Sequence, residues 1–297
     1  MKLINSSTEI ISQQAGLLGV YKQIEIAGRV SYKSEDKITN DSAEKFVNML
    51  IERGHLAPLE FGTIYLQIPT NINPAIISFY DENPYSKVNF DDEWYYITTN
   101  ARVIVENDIR EHLTWMCEPT GMHEKRITAR VVCSRGIANE IVRHRTFSYV
   151  QESSRYCNYS KSKFNGEVTF IIPSWMYIEE GSYTSPYYSA LDDHNHIWKI
   201  NGEDHITLTF GEELDRKYFT ALQAFGDAEF HYFHLLNAEG LTPQLARDVL
   251  PLGLKTELVM CGYQDAWDHF LVLRCAKDAH PDMQVVANQL KEQLKWD

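Results

Sequence analysis

The feature that most restricts the folding of this chain is a run of basic side chains inside an acidic protein. Arg143, His144 and Arg145 are consecutive, whereas the whole chain of 297 residues carries a formal net charge of -13. Successive residues at a helix end project about 100° apart, so the three side chains cannot share one solvated face. At least one must turn inward or toward a partner. Two permanently charged guanidinium groups at such a place favour an anionic ligand.

The overall composition limits the class of protein. With 44% apolar residues the chain can bury a sizeable core. Its acidity argues against a protein that coats nucleic acid, because polyanion binding depends on a broad basic field. The cysteines are odd in number and form no Cys-x-x-Cys pair: Cys117, Cys133, Cys157, Cys261 and Cys275. Neither a disulfide framework nor a zinc site is indicated, and without a long apolar run we expect a soluble, untargeted, cytoplasmic protein.

Hydrophobic periodicity predicts two elements in the first quarter of the chain. Asp41 followed by Glu44 is typical of a capping box, and apolar residues then recur at helical spacing up to Gly54. This predicts a short amphipathic helix that ends at the glycine. Residues 61–68 alternate and are rich in β-formers, which predicts a strand after a short turn.

Residues 69–125 interrupt this pattern with turn signals and an acidic run. We interpret them as an insertion carried on the surface, containing a helix over 96–117. Residues 126–133 then resume as a strand. Ser134 is typical of the N-cap of a helix that the Arg-His-Arg run would close.

The second half is predicted to be mainly helical. Residues 167–173 are a strand candidate, followed by a loop rich in tyrosine and serine up to Pro186. Apolar spacing over 214–233 predicts a long helix that ends near Gly240.

Thr242 followed by Pro243 predicts a further helix, with the threonine as its N-cap and the proline at its first position. The last two helices are expected over 266–275 and 281–296. These elements predict an α+β fold, in which a central antiparallel or mixed sheet is flanked by helices. One domain over 1–297 would carry the insertion at about 69–125.

The basic run also carries a resemblance to a known family. Arg143, His144 and Arg145 are followed by seven residues and then by Ser153, with Ser154 and Arg155 behind it, which resembles the signature of the flavin-dependent thymidylate synthases. Further blocks occur in the order of that family: Arg29-Val30-Ser31, residues 54–60, residues 247–252 and residues 267–274. Such an ordered set is much more specific than a basic tripeptide alone.

The resemblance implies an enzyme that methylates dUMP at C5 to give dTMP. It implies 5,10-methylenetetrahydrofolate as the carbon donor, FAD as the hydride carrier and NADPH as the reductant. It also implies a homotetramer with active sites shared between subunits. From the charge, the hydropathy and the histidine spacing we expect no nucleic acid, membrane or metal as a partner. The protein's own task would be to position the ligands, polarise the uracil and exclude water.

The resemblance also implies roles for particular residues. Those that would contact the flavin are His55, Ala57, Arg143, His144, Arg145, Gln151, Tyr263 and His269. Those that would bind dUMP are Glu140, Arg143, Gln151, Ser153, Ser154, Arg155, Arg247 and Arg274. Arg274 is the predicted catalytic residue, because a fixed cation over the uracil would favour the ionised, more nucleophilic ring. The chain departs from the family in having its acid at Glu152 and in having Tyr263-Gln264-Asp265 in place of Asn-x-Arg.

Two functions of other classes stay open. A nucleic-acid-binding module could use the Arg-His-Arg helix, but it would need a wider basic face. A metal-dependent phosphohydrolase could use the pairs His194 with His196 and His231 with His234, although neither pair has a third ligand at metal-site spacing. Simpler structural explanations also exist for the arginines, namely interaction with a helix dipole at Arg143 and Arg145 and snorkelling at Arg247 and Arg274.

Overall fold

The computed structural model describes residues 1–184, 195–202, 204–209 and 213–295. The end of the predicted loop at Pro186, His194 of the phosphohydrolase alternative and the predicted helix end at Trp296 lie outside these residues. The strands are β1 (Lys2–Ile4), β2 (Ser7–Ile11), β3 (Thr63–Pro69), β4 (Lys87–Phe90), β5 (Trp94–Asn100), β6 (Arg126–Ser134), β7 (Ser148–Gln151), β8 (Thr169–Ile171), β9 (Gly181–Thr184), β10 (Asn195–Ile200), β11 (Asp204–Thr209) and β12 (Lys255–Tyr263). The helices are α1 (Gly16–Val30), α2 (Ser42–Glu52), α3 (Pro74–Glu82), α4 (Ala101–Glu106), α5 (Arg135–Ile141), α6 (Glu213–Asn237), α7 (Pro243–Ala246), α8 (Gln264–Arg274) and α9 (Pro281–Leu294).

The described chain is a mixture of helices and strands, as predicted, but its strands form three sheets instead of one central sheet. An antiparallel sheet has the order β2-β6-β12-β7. A mixed sheet has the order β11-β10-β9-β1-β8, with β1 and β8 parallel. A smaller antiparallel sheet has the order β3-β5-β4. Distinct buried clusters pack against these sheets, so the fold has several sheets where a central sheet was expected.

Strand β12 lies in the middle of the antiparallel sheet and was not predicted. It pairs along its whole length with β6 and along four residues with β7. Its residues from Thr256 to Gly262 are all buried, so the sequence there lacks the alternation that marks a half-exposed strand. The β6 strand and the start of α5 agree with prediction, and the Ser134 hydroxyl caps α5 by accepting the Ile137 N–H over 3.3 Å. Helix α5 ends at Ile141, before the Arg-His-Arg run that was expected to close it.

The helix predicted over 96–117 was wrong. Residues 94–100 instead form β5, because their tyrosine, isoleucine and threonine side chains suit a strand and because β3 and β4 are available to pair with it. Only Ala101–Glu106 is an α-helix, and the Asn100 side chain caps it by accepting the Val103 N–H over 3.1 Å.

The expectation that residues 69–125 lie on the surface is also corrected. Tyr80 and Ile97 are both 0% exposed and belong to a core that they share with Val20 and Ile24 of α1. The segment therefore contributes to the interior of the protein.

Helix α2 was predicted correctly, although its start is different in detail. Gly54 ends it with a φ of +67°, a conformation that glycine adopts without strain. Asp41 does not cap the helix through its side chain; the Ser42 hydroxyl instead accepts the Thr39 N–H over 2.8 Å. The capping box predicted at Asp41 and Glu44 is therefore not formed.

The late helices also agree with prediction. Helix α6 ends three residues before Gly240, whose φ is +68°. Pro243 occupies the first turn of α7, and Arg247 begins a short 3₁₀ turn directly after it. Among the described residues no helix is both long and apolar enough to cross a membrane.

Candidate active site

The end of α5 and the end of α8 bring three of the predicted site residues together. Arg274 donates from Nε to Nε2 of His144 over 2.8 Å and from Nη1 to the carboxylate of Glu140 over 2.9 Å. Its Nη2 donates to the Glu140 carbonyl over 3.3 Å. The Tyr149 hydroxyl holds the turn by contacting the carbonyl oxygen of His144 over 2.8 Å. Arg274 is therefore held by Glu140 on α5 and by His144 in the turn after it, and does not simply extend into solvent.

This arrangement defines the protonation state of His144. Because its Nε2 accepts a hydrogen bond from a guanidinium, the imidazole is neutral and carries its proton on Nδ1. Burial, together with the nearby Arg274 and His269, lowers the pKa of His144 to about 4. The His144 ring also packs edge-on against Phe270, with ring centroids 4.9 Å apart.

A second group of site residues lies where the Ser153-Ser154 turn meets the start of α5. The buried hydroxyl of Ser154 accepts a hydrogen bond from Arg247 Nη1 over 3.0 Å. Arg135 Nη1 lies 3.5 Å from the same hydroxyl. Arg135 begins α5 and forms no ion pair with any described carboxylate, and Arg247 has only the distant Asp248 at 4.0 Å. Two guanidinium groups with little counter-charge thus converge on one hydroxyl.

Sequence reasoning did not identify Arg135. It lies eight residues before Arg143, in a position that looks like an ordinary first-turn residue of a helix. Only the fold brings it beside Ser154 and Arg247. Ser154 lies 19 residues after Arg135 in the sequence, and Arg247 lies 93 residues after Ser154.

The other predicted substrate ligands surround this turn. Gln151 ends β7, where its side-chain amide donates to the Thr256 hydroxyl over 3.1 Å. Ser153 donates its backbone N–H to the Ser31 carbonyl over 3.0 Å. Arg155 is exposed, with its guanidinium carbon 5.5 Å from the ring centroid of Tyr156.

A network of buried ion pairs adjoins the Ser153-Ser154 turn. Glu152 is 3% exposed, and its carboxylate lies 2.6 Å from Lys255 Nζ. Glu257 contacts Lys33 over 2.5 Å and Lys255 over 3.6 Å. Burial raises the pKa of Glu257, but Lys33 and Lys255 together outweigh that effect and lower it overall. The acid that departs from the family pattern, Glu152, therefore has a partner within the fold.

A large cleft of about 1260 Å³ is lined in part by Tyr149, Val150 and Gln151 of β7. Three predicted flavin ligands line it, namely His55, Ala57 and Gln151. Its charged lining consists of seven basic side chains and two acidic ones: Arg29, Lys33, Lys37, Lys45, Arg53, Arg102, Lys163, Asp36 and Glu106. The cleft is thus basic although the protein as a whole is strongly acidic.

The remaining predicted flavin ligands do not line this cleft in the single chain. Arg143, Arg145 and His269 are exposed, and neither arginine forms an ion pair with a described residue. The ring centroids of His269 and His144 lie 6.3 Å apart. Exposed apolar side chains adjoin these residues in sequence, including Val272 at 58% exposure.

Tyr263 has a different environment from the other predicted ligands. Its hydroxyl donates to the carbonyl oxygens of Thr98, over 2.8 Å, and Tyr85, over 3.0 Å. Burial raises its pKa strongly. The phenol thereby links the end of β12 to the small sheet.

The described histidines do not form a metal centre. Among the residues whose side chains the structure describes, no group of three or more His, Cys, Asp or Glu is arranged to hold a metal ion. His234 lies 3.4 Å from Glu239, at a half-exposed position on α6.

Comparison with known proteins defines the class of this chain. The profile of the family described as thymidylate synthase complementing protein matches residues 99–296. The chain therefore belongs to this family, because the match covers more than half of its length.

Individual relatives are more distant. The flavin-dependent thymidylate synthase of Corynebacterium efficiens is 27% identical over 162 residues, which are 54% of each chain. That of Mycobacterium avium is 26% identical and that of Mycobacterium tuberculosis 28% identical, over the same shares of each chain. The alignments thus span about half the length of the curated relatives that this chain matches.

Solved structures show a remote likeness. A UMP/dUMP methylase PolB from Streptomyces cacaoi, bound with 5-Br UMP, has a TM-score of 0.44 and 17% identity, covering 99% of this chain and 91% of that one. The form bound with 5-Br dUMP has a TM-score of 0.43 and 19% identity, covering 99% and 92%.

Proposed function

We propose that this protein is an FAD-dependent thymidylate synthase. It converts dUMP to dTMP, with 5,10-methylenetetrahydrofolate as the carbon donor and NADPH as the reductant. Membership of the family and the relatives named flavin-dependent thymidylate synthase support this proposal. They do not favour the nucleic-acid-binding module or the metal-dependent phosphohydrolase.

The convergence of Arg135 and Arg247 on Ser154 is the observation that carries the proposal. Two guanidinium groups and a hydroxyl offer the donors that a phosphate monoester requires. Arg155, Ser153 and Gln151 lie on the same turn and its preceding strand. In this proposal they complete the contacts to the nucleotide.

The cluster at the end of α8 supplies the charge that acts on the uracil. Arg274 is a permanent cation whose orientation is held by Glu140 and His144. Placed over the pyrimidine, it stabilises negative charge that develops on the ring, and it needs no rearrangement to do so. At neutral pH His144 is uncharged and accepts the hydrogen bond from Arg274, so the guanidinium keeps its full charge and its proton. Glu140 thus contributes by orienting the guanidinium.

The basic cleft has the size and charge to hold FAD. Its basic lining suits a pyrophosphate, and His55, Ala57 and Gln151 lie on its walls. When bound, the flavin supplies the hydride chemistry of the reaction. The residues of this chain bind the cofactor, orient it and exclude water.

Sharing of each site between subunits explains why the proposed flavin ligands are separated in one chain. His55 and Ala57 line the cleft, whereas Arg143, Arg145 and His269 face outward beside exposed apolar residues. We propose that the outward set of one protomer completes the cleft of another in a homotetramer. Tyr263 joins the flavin contacts only through its ring, since its hydroxyl is engaged within the fold.

A visible absorption spectrum followed by an assay of dTMP formation tests the proposal. We expect a yellow protein, or one that takes up added FAD, and dTMP formation that requires dUMP, methylenetetrahydrofolate and NADPH together. A colourless protein that does not take up FAD would refute it. Phosphate release that depends on a divalent metal would instead identify the phosphohydrolase, and a salt-sensitive gel shift would identify the nucleic-acid module.

A further inference from the structure

Arg126 is a half-buried arginine whose charge is not paired within the described part of the chain. It begins β6, and its Nη1 donates to the Thr63 hydroxyl over 3.3 Å. Its guanidinium carbon lies 5.5 Å from the ring centroid of Tyr263. The Nε atom is buried without a hydrogen-bond partner, and no described carboxylate forms an ion pair with the side chain. A guanidinium stays charged at any relevant pH, so this environment is costly without an anion.

Other arginines show how unusual this position is. In the described part of the chain, most arginines that are not exposed have a carboxylate partner, namely Arg29, Arg102, Arg130, Arg247 and Arg274. Apart from Arg126, the one described arginine that is not exposed and lacks a carboxylate partner is Arg135. Arg135 faces the proposed phosphate site, where an anion is expected to supply the missing charge. By the same reasoning, Arg126 marks a second place for an anion.

A cavity of about 370 Å³ lies beside Arg126. Loop residues 12–16, strand β3, residues 116–119 and the end of α9 surround it, and it shares no lining residue with the basic cleft. This volume falls within the usual range for small-molecule sites. The cavity is therefore separate from the site proposed for the flavin.

The charge of the cavity favours an anion. Lys125 and Arg126 line it, against one carboxylate, Glu118. The carboxylate of Glu118 is engaged at the start of α1, where it accepts the Gly16 N–H over 3.2 Å. The lining thus keeps a net positive charge that the protein does not neutralise.

We propose that this cavity binds a small oxyanion, through a carboxylate or phosphate group, with Arg126 as its principal ligand and Lys125 as a second cation. The planar fork of the guanidinium matches either group with two parallel hydrogen bonds. This site does not depend on the proposed thymidylate synthase function.

Anion-dependent thermal stability tests the site. Inorganic phosphate and acetate are titrated separately against the holoprotein at constant ionic strength with chloride, in an Arg247→Ala background that weakens the proposed nucleotide site. We expect the melting temperature to rise to a plateau with at least one of the two anions, because a ligand of the folded state stabilises it by mass action. The anion with the lower half-saturating concentration identifies the preferred group.

Variants of the cavity then assign the effect. Arg126→Gln is expected to raise the half-saturating concentration about ten- to a hundredfold, as for the loss of a charged hydrogen bond. Arg130→Gln is the matched control, since Arg130 lies on the same strand and already has carboxylate partners. It should leave the half-saturating concentration unchanged. If Arg126→Gln does not fold, Lys125→Gln provides the second test and should raise that concentration about two- to fivefold.

A rise without a plateau in both anions would overturn the proposal, because it would reflect general exclusion of salt from the protein surface. An equal half-saturating concentration in the Arg126→Gln and control variants would also overturn it. Neither result would bear on FAD content or dTMP formation, which are measured separately.

Discussion

Arg274 donates its Nε hydrogen to Nε2 of His144 over 2.8 Å, so a permanent cation and a neutral imidazole are neighbours. Protonation of that imidazole would remove the acceptor and place two positive charges in contact. Burial, the charge of Arg274 and the nearby His269 together lower the pKa of His144 to about 4. The pair therefore links the proposed catalytic charge to the acid stability of the protein.

The first prediction concerns stability at acid pH. As pH falls below the ordinary value of 6.5, the unfolded chain takes up a proton at His144 before the folded chain does. The contribution of the neutral histidine to the free energy of unfolding is thus complete above about pH 6.5 and is lost progressively as the pH falls toward about 4. Urea unfolding at several pH values should show a smaller acid loss for His144→Gln, which keeps an acceptor. His234→Gln, on the exposed face of α6, should lose as much stability as the unmodified protein; equal losses in all three would contradict the prediction.

The second prediction concerns Arg274. If this cation stabilises charge that develops on the uracil, removing it should lower turnover more than dUMP affinity. Arg274→Lys keeps the charge but loses the planar fork, so it should recover only part of the rate, and Arg274→Ala should be slower still. Single-turnover dTMP formation with saturating ligands measures this, with FAD content and oligomeric state checked first. Arg216→Ala, at an exposed position of α6, is the control. An unmodified rate in Arg274→Ala would show that the residue has no catalytic role.

The third prediction concerns the proposed phosphate site formed by Arg135, Arg247 and Ser154. Arg247→Ala and Arg135→Gln should each weaken dUMP binding roughly ten- to a hundredfold, since a hydrogen bond to a charged group contributes about 1.5 to 3 kcal/mol. Both arginines contact Ser154, so the double variant should lose less than the product of the single losses. Calorimetric titration of dUMP measures the affinities. FAD content should stay unchanged, and a parallel loss of FAD would point to misfolding.

The fourth prediction concerns Tyr263. Its hydroxyl bridges Thr98 and Tyr85, so Tyr263→Phe should lower the free energy of unfolding by about 0.5 to 1.5 kcal/mol while FAD content stays the same. Denaturant unfolding and flavin absorbance measure the two effects. Loss of flavin at unchanged stability would instead favour a direct flavin contact by the hydroxyl.

Sequence patterns predicted the elements whose signals are local. A glycine with positive φ ends α2, a serine side chain caps α5, and apolar spacing defines α6, and each of these depends on neighbours within a few residues. The error over 96–117 had a local cause too. Tyrosine, isoleucine and threonine in residues 94–100 favour a strand, and this preference was overlooked beside the looser pattern around it.

Other features depend on contacts between distant segments. Strand β12 is buried from Thr256 to Gly262, so its sequence contains no alternation to identify it. The resemblance supplied Ser154 and Arg247 as separate ligands, but their joint contact with Arg135 requires the fold that brings α5 and the turn after β7 together. The pairing of Glu152 with Lys255 likewise joins residues 103 positions apart.

The central place of β12 has a consequence for synthesis of the protein on the ribosome. Strands β6 and β7 emerge about a hundred residues before the strand that lies between them. Until residues 255–263 have left the exit tunnel, the inner edges of both strands expose unpaired backbone groups that other chains could pair with. These two inner edges therefore stay unpaired during synthesis for as long as residues 255–263 are missing.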